Sequence, residues 1–223
     1  ATAAEPSGGV RRSSPPCSIS VGSAGRDPQP FDVSLLSAGN TSLTGVFFGA
    51  EVANERAQKL VDSKVVAVVG HFNSGASIPA SKIYSDAGIP QISPSSTNPK
   101  YTRQGFKTTF RVVADDVHLG GTLGRYAVKE LKGKSIVTID DRTAYGQGVA
   151  EEFAKAVKAS GGAIQDTQFT TDKATDFTAI LTAVKAKKPD IVFYGGMDAV
   201  AGPMIRQMKQ LGINAKLVGG DGI

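Results

Sequence analysis

Val65-Val66-Ala67-Val68-Val69 is followed at once by Gly70-His71-Phe72-Asn73-Ser74-Gly75. Five apolar residues in a row meet a glycine stop and then a short polar turn. A strand that is apolar on both faces belongs to a parallel sheet sandwiched between helices, because a half-solvated strand would alternate polar and apolar residues. The same unit recurs downstream. Ser135–Ile139 and Ile191–Tyr194 are further apolar runs, and shorter ones lie at Ile89–Ile92, Phe106–Val113, Ala163–Phe169 and Lys216–Val218. Helical patterns at about Val52–Asp62, Ser74–Asp86, Asp116–Leu131, Gln147–Ala159, Thr175–Lys187 and Ala199–Leu211 separate them, several stopped by glycine (Gly88, Gly133, Gly161, Gly212). Thr175 or Asp176 is placed to cap its helix. This alternation predicts an α/β protein with doubly wound parallel sheets.

Composition sets outer limits. The chain has 223 residues, 40% hydrophobic and 20% charged, with a net charge of +5. No run reaches the 18 or so apolar residues of a membrane-spanning helix, so no direct membrane insertion is expected. The lysines scatter around helix ends (Lys129, Lys132, Lys134; Lys185, Lys187, Lys188), where cations suit the helix dipole, so no nucleic-acid surface is expected. The lone cysteine, Cys17, permits no internal disulfide. Residues 1–50 stand apart: Pro6, Pro15, Pro16, Pro28 and Pro30 interrupt a Gly/Ser-rich, weakly periodic stretch, which reads as a disordered leader. No element is assigned before Glu51. The regular pattern divides into 51–114 and 115–223.

In parallel α/β sheets ligands bind beyond the carboxyl ends of the strands. The loops there are Gly70–Gly75, Ser93-Pro94-Ser95-Ser96-Thr97-Asn98, Gly195-Gly196-Met197-Asp198 and Gly219-Gly220-Asp221-Gly222. The first two bring hydroxyls and backbone amides to a helix start, where a ligand carboxylate would gain hydrogen bonds of about 1.5–3 kcal/mol each. The plainer alternative is that Ser74 caps its helix and the other polar residues make turns. Asp221 could meet a ligand ammonium, or simply form an Asp-Gly turn.

These loops resemble those of the leucine/isoleucine/valine-binding proteins of ABC importers. The resemblance runs through Gly70–Gly75, Ile78-Pro79-Ala80-Ser81, Gly88–Pro99, Phe110-Arg111-Val112, Ala144–Gly148, Lys173–Phe177, Tyr194–Asp198 and Gly220-Asp221-Gly222, in family order from about Ala57 to Ile223. It implies a type I periplasmic-binding-protein fold, two Rossmann-like lobes closing on a ligand. It also implies a periplasmic location, a small amino acid as ligand, a permease as partner and no cofactor. By the same resemblance Ser74, Ser95 and Thr97 hold the ligand's carboxylate and ammonium, Asp221 is the counter-ion to the ammonium, and Tyr145 and Met197 wall the side chain. Many family members have Glu where Asp221 stands and some have Tyr where Met197 stands. His71 and Phe72 are expected to support the loop.

The family's opening strands are not recognisable in residues 1–50, and its members continue beyond the Gly-Asp-Gly loop. The chain therefore resembles an interior fragment with both lobes incomplete, for which weak or absent binding is expected. Two other readings use the same fold: a ligand-sensing regulatory domain, and a truncated remnant that binds nothing. An enzyme is not expected. Gly146-Gln147-Gly148 has Glu151 at the third glycine position of a dinucleotide fingerprint, and Ser74 lies in no Gly-x-Ser-x-Gly elbow. His71 and His118 have no metal-ligand spacing.

Overall fold

The computed structural model describes residues 35–37, 41–43 and 50–223. Most of the expected leader therefore lies outside the described residues. Within it, however, β1 (Leu35–Ser37) and β2 (Thr41–Leu43) pair antiparallel, elements that the sequence pattern did not announce.

Two parallel sheets follow. The first has the order β3-β4-β5, from β3 (Val68–Val69), β4 (Gln91–Ser93) and β5 (Thr109–Arg111). Its helices are α1 (Ala50–Asp62), α2 (Ser74–Asp86) and the short α3 (Lys100–Arg103). The expected five-residue strand Val65–Val69 contracts to two. The cause is local: Lys64 adopts a left-handed conformation (φ 56), and Lys64 and Val65 N–H turn back to Val61 O and Leu60 O. Val65 thus finishes the exit from α1.

The second sheet has the order β7-β6-β8-β9 and is parallel throughout. Its strands are β6 (Ile136–Asp140), β7 (Ile164–Phe169), β8 (Ile191–Gly195) and β9 (Lys216–Gly219). Its helices are α4 (Asp116–Lys129), α5 (Ala144–Ala159), α6 (Thr178–Lys187) and α7 (Asp198–Gln210). Two helix starts moved by three residues. Helix α5 begins three residues before the expected Gln147 because Thr143 Oγ1 caps it, accepting from Gly146 N–H at 3.0 Å. Helix α6 begins later than expected, since the Asp176 carboxylate accepts from Thr178 N–H and Oγ1 in a local turn, while Thr175 O is taken by Gln207 Nε2.

Side chains alternate across the central strands and serve two cores. Ile136, Ile191 and Phe193 face α5 with Val149, Phe153 and Val157, and the Phe153 and Phe193 rings stack at 3.9 Å. Val137, Ile139, Val192 and Tyr194 face α6 and α7 with Leu181, Met204 and Met208. Helices α4 and α5 touch backbone to backbone: a Cβ on Gly124 would come 2.6 Å from Phe153 O, so only glycine fits. The first sheet is covered differently. Val65, Val68, Ala80, Tyr84 and Ile89 form a core with α1 and α2, but Val66 (62% exposed), Phe110 (49%) and Val112 (68%) remain open among the described residues.

Candidate functional site

Strand order places the site. The chain reverses its direction of winding between β6 and β8, which opens a crevice at their carboxyl ends. Tyr145 follows β6, Met197 follows β8 and Gly222 follows β9 there, opposite the loops after β3 and β4. Together they border an open cleft lined by Phe72, Asn73, Ser74, Ser95, Tyr145, Met197, Asp221 and Gly222. Five of the six residues singled out in the sequence line it. Thr97 does not; it is buried beside it.

The loop hydroxyls divide into two groups. Ser77, Ser93 and Ser96 are structural. Ser93 Oγ donates to His71 O at 2.7 Å and accepts from Ser96 N–H at 2.9 Å. Ser77 Oγ accepts from His71 N–H and meets Ser96 Oγ at 2.6 Å. These bonds hold the two loops together and leave Ser74 and Ser95 facing the cleft. Ser74 does not cap α2: Asn73 occupies the cap position and makes no side-chain cap bond. The Ser74 Oγ instead accepts from Asn98 N–H at 3.2 Å, and the start of α2, with no side-chain cap, lies at the cleft through Asn73 and Ser74. His71 is fully buried, its Nε2 3.3 Å from Tyr84 Oη. Phe72 is 41% exposed and forms part of the wall.

On the opposite side Tyr145 does more than line the wall. Its hydroxyl donates to Asp221 Oδ1 at 2.7 Å and accepts from Gly222 N–H at 3.1 Å. Burial, and then Asp221, raise its pKa well above the ordinary tyrosine range. It therefore stays a donor and fixes the glycine-rich turn. Asp221 thus has one oxygen held and is oriented by its neighbour rather than by the turn alone. Met197, at the cap position of α7, packs on the core of α5.

One group escaped the sequence reading. Asp116 is fully buried, and neither carboxylate oxygen has a hydrogen-bond partner; nor has the adjacent Thr97 Oγ1. Burial raises the Asp116 pKa to about 7; the Thr97 hydroxyl opposes the rise, though it lies outside hydrogen-bond geometry, and the charges of Asp221 and Asp115 add to it while Arg111 subtracts. Buried polar groups left unpaired are costly, and they point to a missing partner. In the sequence Asp116 looked like the start of a helix, which it also is. The only hint was the doubled acid, Asp115-Asp116; of the two, Asp115 is the cap, accepting from His118 N–H.

Most of the chain is similar to known proteins. A family model described as "Periplasmic binding protein" matches residues 49–222. The chain belongs to that family. Its members are binding proteins rather than enzymes, and its fold is the type I arrangement of parallel α/β sheets. "Leu/Ile/Val-binding protein homolog 1" of Brucella abortus (strain 2308) is 40% identical over 175 residues, covering 78% of this chain and 46% of that protein. Among solved structures, the leucine-binding protein LivK of Thermotoga maritima superposes with a TM-score of 0.74 at 29% identity, over 78% of this chain and 49% of that one. LivJ of Streptococcus pneumoniae, in complex with isoleucine, gives 0.68 at 32% over the same shares. The chain spans about half the length of these relatives.

Proposed function

We propose that this chain carries the ligand cleft of an extracytoplasmic receptor that captures a branched-chain or similar aliphatic amino acid for an ABC importer. One observation supports the reading above others. Hydroxyls and a helix start (Ser74, Ser95, α2) face carboxylates (Asp221, with Asp116 behind it) across an apolar wall of Phe72, Tyr145 and Met197. That is the complement of a zwitterion with an apolar side chain. Ser74 and Ser95 receive the carboxylate, and Thr97 supports the site from its buried place beside the cleft. Asp221 receives the ammonium, with the buried Asp116–Thr97 pair behind it. The named relatives, a Leu/Ile/Val-binding protein homolog and an isoleucine complex, support the same ligand class.

In this reading residues 51–114 and 115–223 belong to two lobes, and the ligand draws them together about the crossover near Arg111–Asp116. The receptor works in the periplasm and delivers to a permease. Calorimetric titration with leucine, isoleucine, valine and polar amino acids tests it. Saturable binding of the aliphatic set is expected, in place of the weak or absent binding that the sequence suggested, because both sides of the cleft are present, and it should be reduced at least tenfold by Asp221→Ala combined with Thr97→Ala. Equal affinity for polar and aliphatic amino acids, or binding indifferent to that double change, would sink it.

A further inference from the structure

Asn98 lies in the loop after β4, next to the cleft but outside its lining. Its side-chain amide makes two bonds of fixed polarity: Oδ1 accepts from Lys100 N–H at 2.9 Å, and Nδ2 donates to Ala144 O at 2.6 Å. Both partners are backbone groups, so the orientation of the amide is determined. The second bond leaves the first sheet unit and reaches the opening turn of α5 in the second, beside the crossover near Arg111–Asp116. The backbone of Asn98 is committed as well. Its N–H donates to Ser74 Oγ at 3.2 Å, and its carbonyl accepts from Arg111 Nη1 at 3.2 Å. One residue thus touches Ser74 on one side of the cleft and, on the other, the residue preceding Tyr145.

The facing helix is shaped to receive it. At Gly148, one turn beyond Ala144, a Cβ would stand 2.6 Å from Asn98 Nδ2 and 2.7 Å from Asp116 Oδ2. Glycine inside a helix costs up to about 1 kcal/mol relative to alanine, so its presence in α5 needs a reason. The atoms it spares are side-chain ends, which alanine would displace without disturbing either sheet. The gap serves the contact between the two units, and within the second unit it also leaves room for the buried Asp116 carboxylate of α4.

We propose that Asn98 and Gly148 form a closure latch, a positioning device that holds the two units together over the ligand without touching it. Ligand that orders Ser74 steadies the Asn98 backbone and so the grip on α5. Closure and occupancy are thereby coupled. The ligand arm of the test rests on the receptor reading; the closure arm does not.

Spin labels at Lys82→Cys on α2 and Lys158→Cys on α5, in a Cys17→Ser background, report the separation of the units. The unaltered latch should give a short, narrow distance distribution, and Asn98→Ala or Gly148→Ala a longer and broader one. Asn98→Ala should at the same time leave the thermal midpoint without ligand nearly unchanged, which separates loss of the latch from loss of the fold; Gly148→Ala also crowds the buried Asp116 carboxylate, so its midpoint is measured beside the distances. Leucine affinity should fall about tenfold through faster dissociation, with association unchanged. If the variants open but leucine binds none of the proteins, the latch stands and the receptor reading fails. The latch is overturned if the variants keep the original distances, if they bind leucine as before, or if opening comes only with a lowered thermal midpoint.

Discussion

The two sheets are built from the same strand–helix repeat, yet they are not equally finished. The second is wrapped on both faces, with Phe153 and Phe193 in one core and Leu181, Met204 and Met208 in the other. The first buries only the face toward α1 and α2, and leaves Val66, Phe110 and Val112 largely open among the described residues. A repeat sets strand direction and the face each helix can cover. Whether a second layer arrives is decided by other parts of the molecule. Stability should accordingly reside in the second sheet and adaptability in the first.

The sharpest way to break this contrast is to attack the better core. Phe153→Ala should cost about 3–5 kcal/mol, because it opens a cavity under β8 and removes the stack on Phe193; urea unfolding measures it. An intact transition midpoint would show that the second sheet does not carry the stability.

Next in size is a pH effect at the seam between the units. The folded chain holds the Asp116 proton up to about pH 7, whereas the unfolded chain releases it near the ordinary carboxylate value of 3.8. Stability should therefore fall as pH rises between those values, by roughly 2–4 kcal/mol in total. The comparison is the difference between the original and Asp116→Asn chains, each unfolded in urea at pH 4 and pH 7.5. Equal slopes for the two would remove Asp116 as the cause.

A smaller effect is expected within the first unit. Ser77→Ala deletes the hydroxyl that joins His71 to Ser96 and should cost about 1–3 kcal/mol. It should also weaken any ligand binding, because the loops carrying Ser74 and Ser95 lose their tie; calorimetry of both quantities checks the link. The smallest effect belongs to the open face. Phe110→Ser should change stability by less than about 0.5 kcal/mol and reduce self-association in light scattering. A loss of several kcal/mol would mean that the face is covered after all.

Much of the fold was legible because the relevant signals are local. Glycine stops, apolar runs and helix periods placed every strand and helix from α1 onward except the short α3; the strand-end loops held Ser74, Ser95, Met197 and Asp221, and the family resemblance gave them roles and added Tyr145. The errors came where a local hydrogen bond outvoted the pattern. Lys64 and Val65 closed α1 and shortened β3, Thr143 started α5 early, and Asp176 delayed α6. Ser74 looked like a cap because it opens a helix; its neighbour Asn73 holds that place.

Read as a string, the chain determines that strands alternate with helices, that the sheets are parallel, and that polar loops gather at their carboxyl ends. Those facts follow from periodicity and turn chemistry, which act over a few residues. Only the tertiary structure decided that Asp116 and Thr97 are buried without partners, that Tyr145 orients Asp221 across 76 residues of sequence, and that Asn98 grips α5 where Gly148 leaves room. Such pairings depend on distances between elements far apart in the chain, and no local pattern encodes them.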